Sequence, residues 1–194
     1  MNYFCDKNKT MVFPIYLYGH PVLRKTAKDI DKDFENFDEF MDNMWETMYK
    51  TDGVGLAAPQ VGKSIRVFVI DADPLSEDHP EAKDFKQTFI NAEILEESGE
   101  EWLFNEGCLS VPSIREDVKR KSKLTIRYYD QEWNLHEDTF EGAMARVIQH
   151  EYDHLEGKIF TDKISPIRRR LIKGKLTAIS KGKVNVKYKI VTAK

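Results

Sequence analysis

The sequence predicts an α+β fold in which antiparallel β-sheets pack around one central helix, with a further basic helix and strand at the C-terminus. Three observations carry this. The segment "GAMARVIQHEYDHLEG" has helical length, and Ala143, Val147, Ile148, Tyr152 and Leu155 spread apolar surface over much of its circumference, so it is expected to be buried. Strand-like runs surround it in sequence. Two of these, "KLTIRYYD" (123–130) and "EWNLHEDTF" (132–140), are separated by almost nothing and read as a hairpin.

The elements follow in order. "LYGHPVLRKTA" (17–27) opens with Gly19 and Pro21 and reads as a turn or short helix. "DFENFDEFMDNMWETMYKTDG" (33–53) places Phe37, Phe40, Met41, Met44, Trp45 and Met48 at helical spacing, with Asp33 as N-cap and Gly53 as terminator. That stripe is core. "IRVFVI" (65–70) and "QTFINAEI" (87–94) are strands, and the polar, proline-bearing "DADPLSEDHPEAKD" between them is a loop. "SPIRRRLIKGKLTAIS" (165–180) is a basic amphipathic helix and "KVNVKYKI" (183–190) a final alternating strand.

The 194 residues fit one domain, and a chain of that length buries enough surface to need no disulfides. The expected division is an N-terminal extension at 1–10, a catalytic unit at 11–165 and an appended basic segment at 166–194. Met11 would make a conventional first residue, so 1–10 reads as an alternative start or an added extension. Hydrophobic residues at 41% and charged residues at 32% describe a soluble globular protein. No apolar run approaches ~18 residues, which argues against a membrane span, and nothing points to DNA. With only Cys5 and Cys108, far apart, a reducing cytoplasm is expected. The net charge of −3 hides an asymmetry: residues 163–194 carry eleven Lys/Arg and no Asp/Glu, leaving −14 on the rest. A basic end on an acidic body suits either an anionic partner or a solvated surface.

The chemistry concentrates in "QHEYDHLEG". His150 and His154 lie one helical turn apart on one face, so both imidazoles can reach one ion. Glu151 is turned about 100° from His150, placed to touch a water but not to ligate. Downstream there is no histidine, and the only acids are Glu156, which points away, and Asp162. A third ligand must then come from upstream, where Cys108 in "NEGCLSVPS" is the candidate. One thiolate and two imidazoles leave a coordination position open, as a catalytic site requires. Gly107 beside it lets backbone approach closely. "DGVGLAAPQVG" (52–62) is a tight glycine-bearing loop that could face a ligand or merely join helix to strand.

Together "GVGLAAPQ", "EGCLS" and "HEYDH", in this order, resemble the peptide deformylase family, and "YGHPVLRKTA" resembles a segment near the N-terminus of its members. The resemblance covers about residues 13–163. It implies an α+β fold with the metal histidines on the central helix, Cys108, His150 and His154 as ligands, and Glu151 as acid/base. Gln60 and the Leu109 N–H would stabilise an oxyanion. Gly55, with Val54 and Gly107, would line the substrate cleft. The implied reaction is removal of the N-formyl group from the initiator methionine of a nascent peptide. The implied ion is Fe(II), with zinc, nickel or cobalt as substitutes. The basic C-terminal segment would suit ribosome docking.

Small residues around the ion, Gly55 and the Gly107–Cys108 backbone, would admit formyl and exclude acetyl. Val54, Leu56 and Val147 are candidates for the methionine pocket, and Gln149 and Asp153 for orienting the ligands. His20, His79 and His136 match no metal spacing. Two rivals stay open: another metallohydrolase, such as a peptidase, and a non-catalytic ribosome- or RNA-binding module. The latter predicts that deletion beyond Pro166 abolishes the main activity.

Overall fold

The computed structural model describes residues 10–193. The extension expected at 1–10 therefore lies, except for Thr10, outside the described residues, as does Cys5. Among the described residues no helix is long and apolar enough to cross a membrane.

The chain opens with β1 (Ile15–Tyr16) and a 3-10 turn at Pro21–Arg24, whose Val22 N–H is capped by His20 Nδ1 at 3.2 Å. Helix α1 (Phe37–Lys50) buries Phe40, Met41, Met44 and Met48 as expected. Its ends differ from the expectation. Asp33 does not cap it. Residues before Phe37 form turns, and Asn36 is the N-cap residue, in the left-handed region at φ 56. Gly53 does not carry the left-handed turn at the other end. Asp52 does, at φ 55, and the Gly53 N–H closes onto Met48 O at 3.0 Å. Short polar side chains tolerate that conformation, so a glycine was not required.

Five strands form one antiparallel sheet: β2 (Gly55–Ala57), β3 (Val67–Asp71), β4 (Lys86–Cys108), β5 (Val111–Tyr129) and β6 (Leu135–Glu141), in spatial order β2-β3-β4-β5-β6. The hairpin after residue 130 forms, although β6 begins at Leu135 rather than 132. The larger difference lies in β4 and β5, of 23 and 19 residues, of which sequence patterning marks only 87–94 and 123–130. In β5 buried and exposed positions alternate from Pro112 to Lys121, but the buried set includes Glu116 and Arg120 beside Ile114 and Val118. Two inward charges erase the apolar alternation that would have announced the strand. The turn of this hairpin, Leu109–Ser110, points into the core, and Ser110 is fully buried.

Helix α2 (Gly142–Leu155) follows β6 directly and packs against β2, β3, β5 and β6. Gly157 ends it at φ 66, where a Cβ would meet the Arg24 carbonyl group at 2.8 Å, so turn and packing both demand glycine. Helix α3 (Pro166–Ser180) starts with Ser165 Oγ accepting from Arg168 N–H at 3.3 Å and Pro166 in its first turn. It is anchored by Ile172, Leu176 and Ile179. The strand expected at 183–190 is assigned only at β7 (Ile190–Val191), which pairs in parallel with β1. In this small second sheet the end of the described chain runs beside its start in the same direction. Among the described residues the architecture is α+β, with a five-stranded antiparallel sheet, the small parallel pair β1-β7 and three α-helices.

Candidate metal centre

Cys108 sits where β4 ends, and the inward hairpin turn carries its sulfur to α2. There it meets His150 and His154. One ligand atom from each of the three side chains lies within 4.8 Å of the others. Cys108 Sγ is 3.3 Å from His154 Nε2, and the two imidazole rings are 5.3 Å apart at 75°. Cys108 is a free thiol. A thiolate and two imidazole nitrogens converging in a buried pocket suit a divalent transition ion. Beside them Glu151 is buried, and its Oε2 has no hydrogen-bond partner among the described residues. An unpartnered buried carboxylate oxygen is costly unless something polar arrives there. The residues present thus fit a metal ion with a polar reactant next to it. Burial pushes the Glu151 carboxyl up to about 7, against the opposing charge of His150.

Behind the ligands lies a buried ionic cluster. His150 Nδ1 is 2.9 Å from Glu106 Oε2, which orients the ring and leaves Nε2 for an ion. Arg120 grips Glu106 with Nε and Nη2 at 2.7 and 2.9 Å and reaches Asp153 with Nη1 at 2.6 Å. Arg146 donates to Glu106 at 3.1 Å and to the carbonyls of Val118 and Trp102 at 2.6 and 2.9 Å, with its guanidinium 4.8 Å from the Trp102 ring. Burial would raise the Glu106 carboxyl, but hydrogen bonds and charge from His150 and Arg120 outweigh it and hold the group well below the usual carboxylate range. Two guanidiniums face two carboxylates, so no charge in the cluster is left uncompensated.

The open side is a cleft of about 480 Å³. Val54, Gly55, Gln60, Gly107, Cys108, Leu109, His150 and Glu151 all line it; His154 lies deeper. Gln60 is fixed by Ala57 N–H, which donates to its Oε1 at 2.8 Å, and turns Nε2 toward Cys108 Sγ and Ser110 Oγ, both at 3.4 Å. Gly55 is a steric necessity: a Cβ there would lie 2.5 Å from Glu151 Oε1 and 2.9 Å from its Cγ. Gly107 differs from the expectation. Its missing Cβ makes room for the Arg115 guanidinium at 2.8 Å rather than for an ion. Of the candidates for the methionine pocket, Val54 and Val147 line the cleft, while Leu56 is fully buried in the core.

A family model described as polypeptide deformylase matches residues 12–170. The chain belongs to the polypeptide deformylase family. A peptide deformylase of Christiangramia forsetii is 56% identical over 187 residues, covering 93% of this chain and 95% of that one. One of Salinibacter ruber is 42% identical over 186 residues, covering 94% and 95%. Among solved structures, a peptide deformylase from Legionella pneumophila superposes with TM-score 0.77 at 36% identity, covering 89% of this chain and 98% of that one. The class I type b enzyme from Acinetobacter baumannii, solved with Met-Ala-Ser bound, gives TM-score 0.73 at 35% identity, covering 80% and 100%.

Within this deformylase fold two expected supports act elsewhere. Gln149 does not reach the ligands; its Nε2 donates to Glu97 and to the Lys121 carbonyl, tying α2 to the sheet. Asp153 reaches His150 only through Arg120 and Glu106. Sequence reasoning missed Glu106, Arg120 and Arg146, and the cleft residues Val186 and Tyr188. Arg146 left a signal, since it shares the four-residue spacing of His150 and His154 on an otherwise apolar helix. Glu106 left one too, as the unassigned first residue of "EGCLS".

Proposed function

We propose that this chain removes the N-formyl group from the initiator methionine of nascent polypeptides by metal-dependent hydrolysis, releasing formate. The observation that carries the site assignment is the meeting of Cys108 with His150 and His154 beside Glu151, at the floor of a cleft. Cys108, His150 and His154 would hold one divalent ion, Fe(II) in our reading, with zinc, nickel or cobalt as substitutes. Once bound, such an ion polarises the formyl carbonyl and makes a water more acidic.

The chain supplies the rest. Glu151 takes a proton from the attacking water as the new C–O bond forms. It passes that proton to the methionine nitrogen as the C–N bond breaks, leaving formate and a free amine. Gln60 Nε2 and the Leu109 N–H donate to the oxygen that gains charge, and each such donor is typically worth ~3 kcal/mol in the transition state. The Leu109 N–H is free for this, since it forms no hydrogen bond among the described residues. The absence of a Cβ at Gly55 lets the backbone of β2 lie directly against Glu151, and in our reading this narrows the space beside the carboxylate in favour of formyl over acetyl. Val54 and Val147 offer apolar surface to the methionine side chain.

The basic C-terminal segment is the surface we assign to ribosome docking. On α3, Arg170, Lys173 and Lys175 are exposed and have no ion-pair partner among the described residues, and Ile167 and Leu171 stand beside them in solvent. A ribosome-bound substrate places the enzyme in the cytoplasm. The deciding experiment is Glu151→Ala. It should keep its metal and lose formate release by roughly 10²–10⁴-fold, the usual span of general acid/base catalysis. Sustained turnover would remove Glu151 from the mechanism. Hydrolysis of acetylated peptides at a comparable rate would favour a broader amidase.

A further inference from the structure

The segment after α3 has a period of two with only two residues paired in a sheet. Val184, Val186, Tyr188 and Ile190 are half-buried, while Lys183, Asn185, Lys187 and Lys189 are exposed. Val184, Tyr188 and Ile190 pack against the main core, and Val186 and Tyr188 line the cleft. The segment is fastened at its end, where Ile15 N–H donates to Lys189 O at 2.8 Å and Leu17 N–H to Val191 O at 2.9 Å. The C-terminus is thus a strap laid against the site.

What the strap touches matters more than its course. The Tyr188 hydroxyl donates to the Leu109 carbonyl at 2.9 Å. On the next peptide, Tyr18 N–H donates to Ser110 O at 2.8 Å. Tyr18 continues from β1, the strand that holds the strap. The two-residue turn that follows Cys108 is therefore held through successive carbonyls by two neighbouring segments from opposite ends of the chain. A turn of two residues has few other means of fixing its peptide planes, and displacements below 1 Å at reacting groups change rates strongly.

We propose that Tyr188 is a positioning residue for the deformylation reaction: its hydroxyl fixes the Leu109–Ser110 peptide, which adjoins the Cys108–Leu109 peptide that carries the Leu109 N–H, and its ring together with Val186 forms a cleft wall supplied by the C-terminal strap. This rests on the functional reading above, in which the Leu109 N–H serves the oxyanion. The role falls to the hydroxyl for turnover and to the apolar surface for binding, and the two are separable.

The test uses the full-length, metal-loaded enzyme with formyl-Met-Ala-Ser, comparing wild type with Tyr188→Phe and Val186→Ala. Tyr188→Phe keeps the ring and removes one hydrogen bond. Its kcat should fall about tenfold with KM within about twofold, because a lost positioning contact acts mainly in the transition state. Its thermal midpoint should stay near wild type, and amide exchange at Tyr18, whose N–H is held on the Ser110 carbonyl, should accelerate. Val186→Ala should raise KM about threefold and leave kcat in place. Wild-type kcat in Tyr188→Phe overturns the proposal, as does a kcat loss accompanied by a lowered midpoint with exchange at Tyr18 unchanged. If wild type itself releases no formate, the functional reading fails; unchanged exchange at Tyr18 in Tyr188→Phe would then sink the tether as well.

Discussion

Helices α2 and α3 are nearly equal in length, 14 and 15 residues, and opposite in construction. In α2 eleven residues are buried, six of them polar or charged: Arg146, Gln149, His150, Glu151, Asp153 and His154. In α3 only Ile172, Leu176 and Ile179 are buried, and every charge is at the surface. Each inward charge of α2 needs a partner built elsewhere in the fold, because desolvation is costly. The charges of α3 stay at the surface: Arg168 and Arg169 pair with Glu116 and Asp162 of the body, while Arg170, Lys173 and Lys175 have no ion-pair partner among the described residues. Charge that organises the site and charge available to a partner are thereby separated onto two helices, and substitutions should respect that division.

The largest effect is expected at Glu106. Glu106→Gln leaves Arg120 with Asp153 alone and Arg146 with no carboxylate partner, and it deprives His150 Nδ1 of its carboxylate. Breaking a buried ion pair from one side typically costs ~3–5 kcal/mol, and losing the group behind a ligating histidine typically weakens metal affinity ~10–100-fold. Denaturant unfolding at matched saturating metal, with affinity from chelator competition, checks both. A loss below about 1 kcal/mol would mean the cluster relaxes around the missing charge, and α2 would differ less from α3 than its burial implies.

The same contrast explains what was readable in the sequence. The meeting of Cys108, His150 and His154 beside Glu151 was legible because helical spacing is a local code, and the three short motifs carried the rest. The α1 core stripe and the α2 length were legible for the same reason. Glu106, Arg120 and Arg146 act across three elements, and no local period reports a pairing between residues 14 to 40 positions apart. The inward charge of Arg120, with that of Glu116, also hid the first half of β5. The strap was read as an alternating strand, and the period was sound, but periodicity cannot say whether the inward face meets a sheet or a cleft. For that reason deletion beyond Pro166 does not separate an enzyme from a binding module: it would remove three core anchors together with Val186 and Tyr188.

A smaller effect is expected at Asp162, where α3 meets the body. Asp162 binds Arg24 at 2.5 and 3.1 Å, accepts from Ile159 N–H at 3.0 Å, and lies 3.4 Å from Arg169 of α3. Burial would raise its carboxyl, but the Arg24 hydrogen bonds, the Ile159 N–H and the charges of Arg24 and Arg169 hold it below the usual value. A lowered folded value stabilises the protein at pH above the unfolded carboxylate range, near ~3.9, and the contribution is lost as pH falls through the folded value. These partners are partly exposed, so solvent screening limits the effect to ~1 kcal/mol or less. Asp162→Asn should therefore trail wild type slightly at pH 7 and match it at a pH low enough to protonate the folded carboxyl. An equal gap at both values would assign the loss to packing rather than charge.

The smallest effect on the enzyme, and the most informative about α3, is expected from reversing charge where nothing is paired. Arg170→Glu with Lys173→Glu changes four units of charge on a solvated face. Stability should stay within ~0.5 kcal/mol, as surface substitutions usually do, and turnover of formyl-Met-Ala-Ser should be unchanged, since neither side chain lines the cleft. Binding to ribosomes, followed by co-sedimentation, should instead fall and lose its salt dependence, because contacts to a phosphate backbone release counterions. Full binding after reversal would take α3 out of the docking surface. A turnover loss beyond twofold would show that charge on the outer helix is felt at Glu151, and the separation between the two helices would no longer hold.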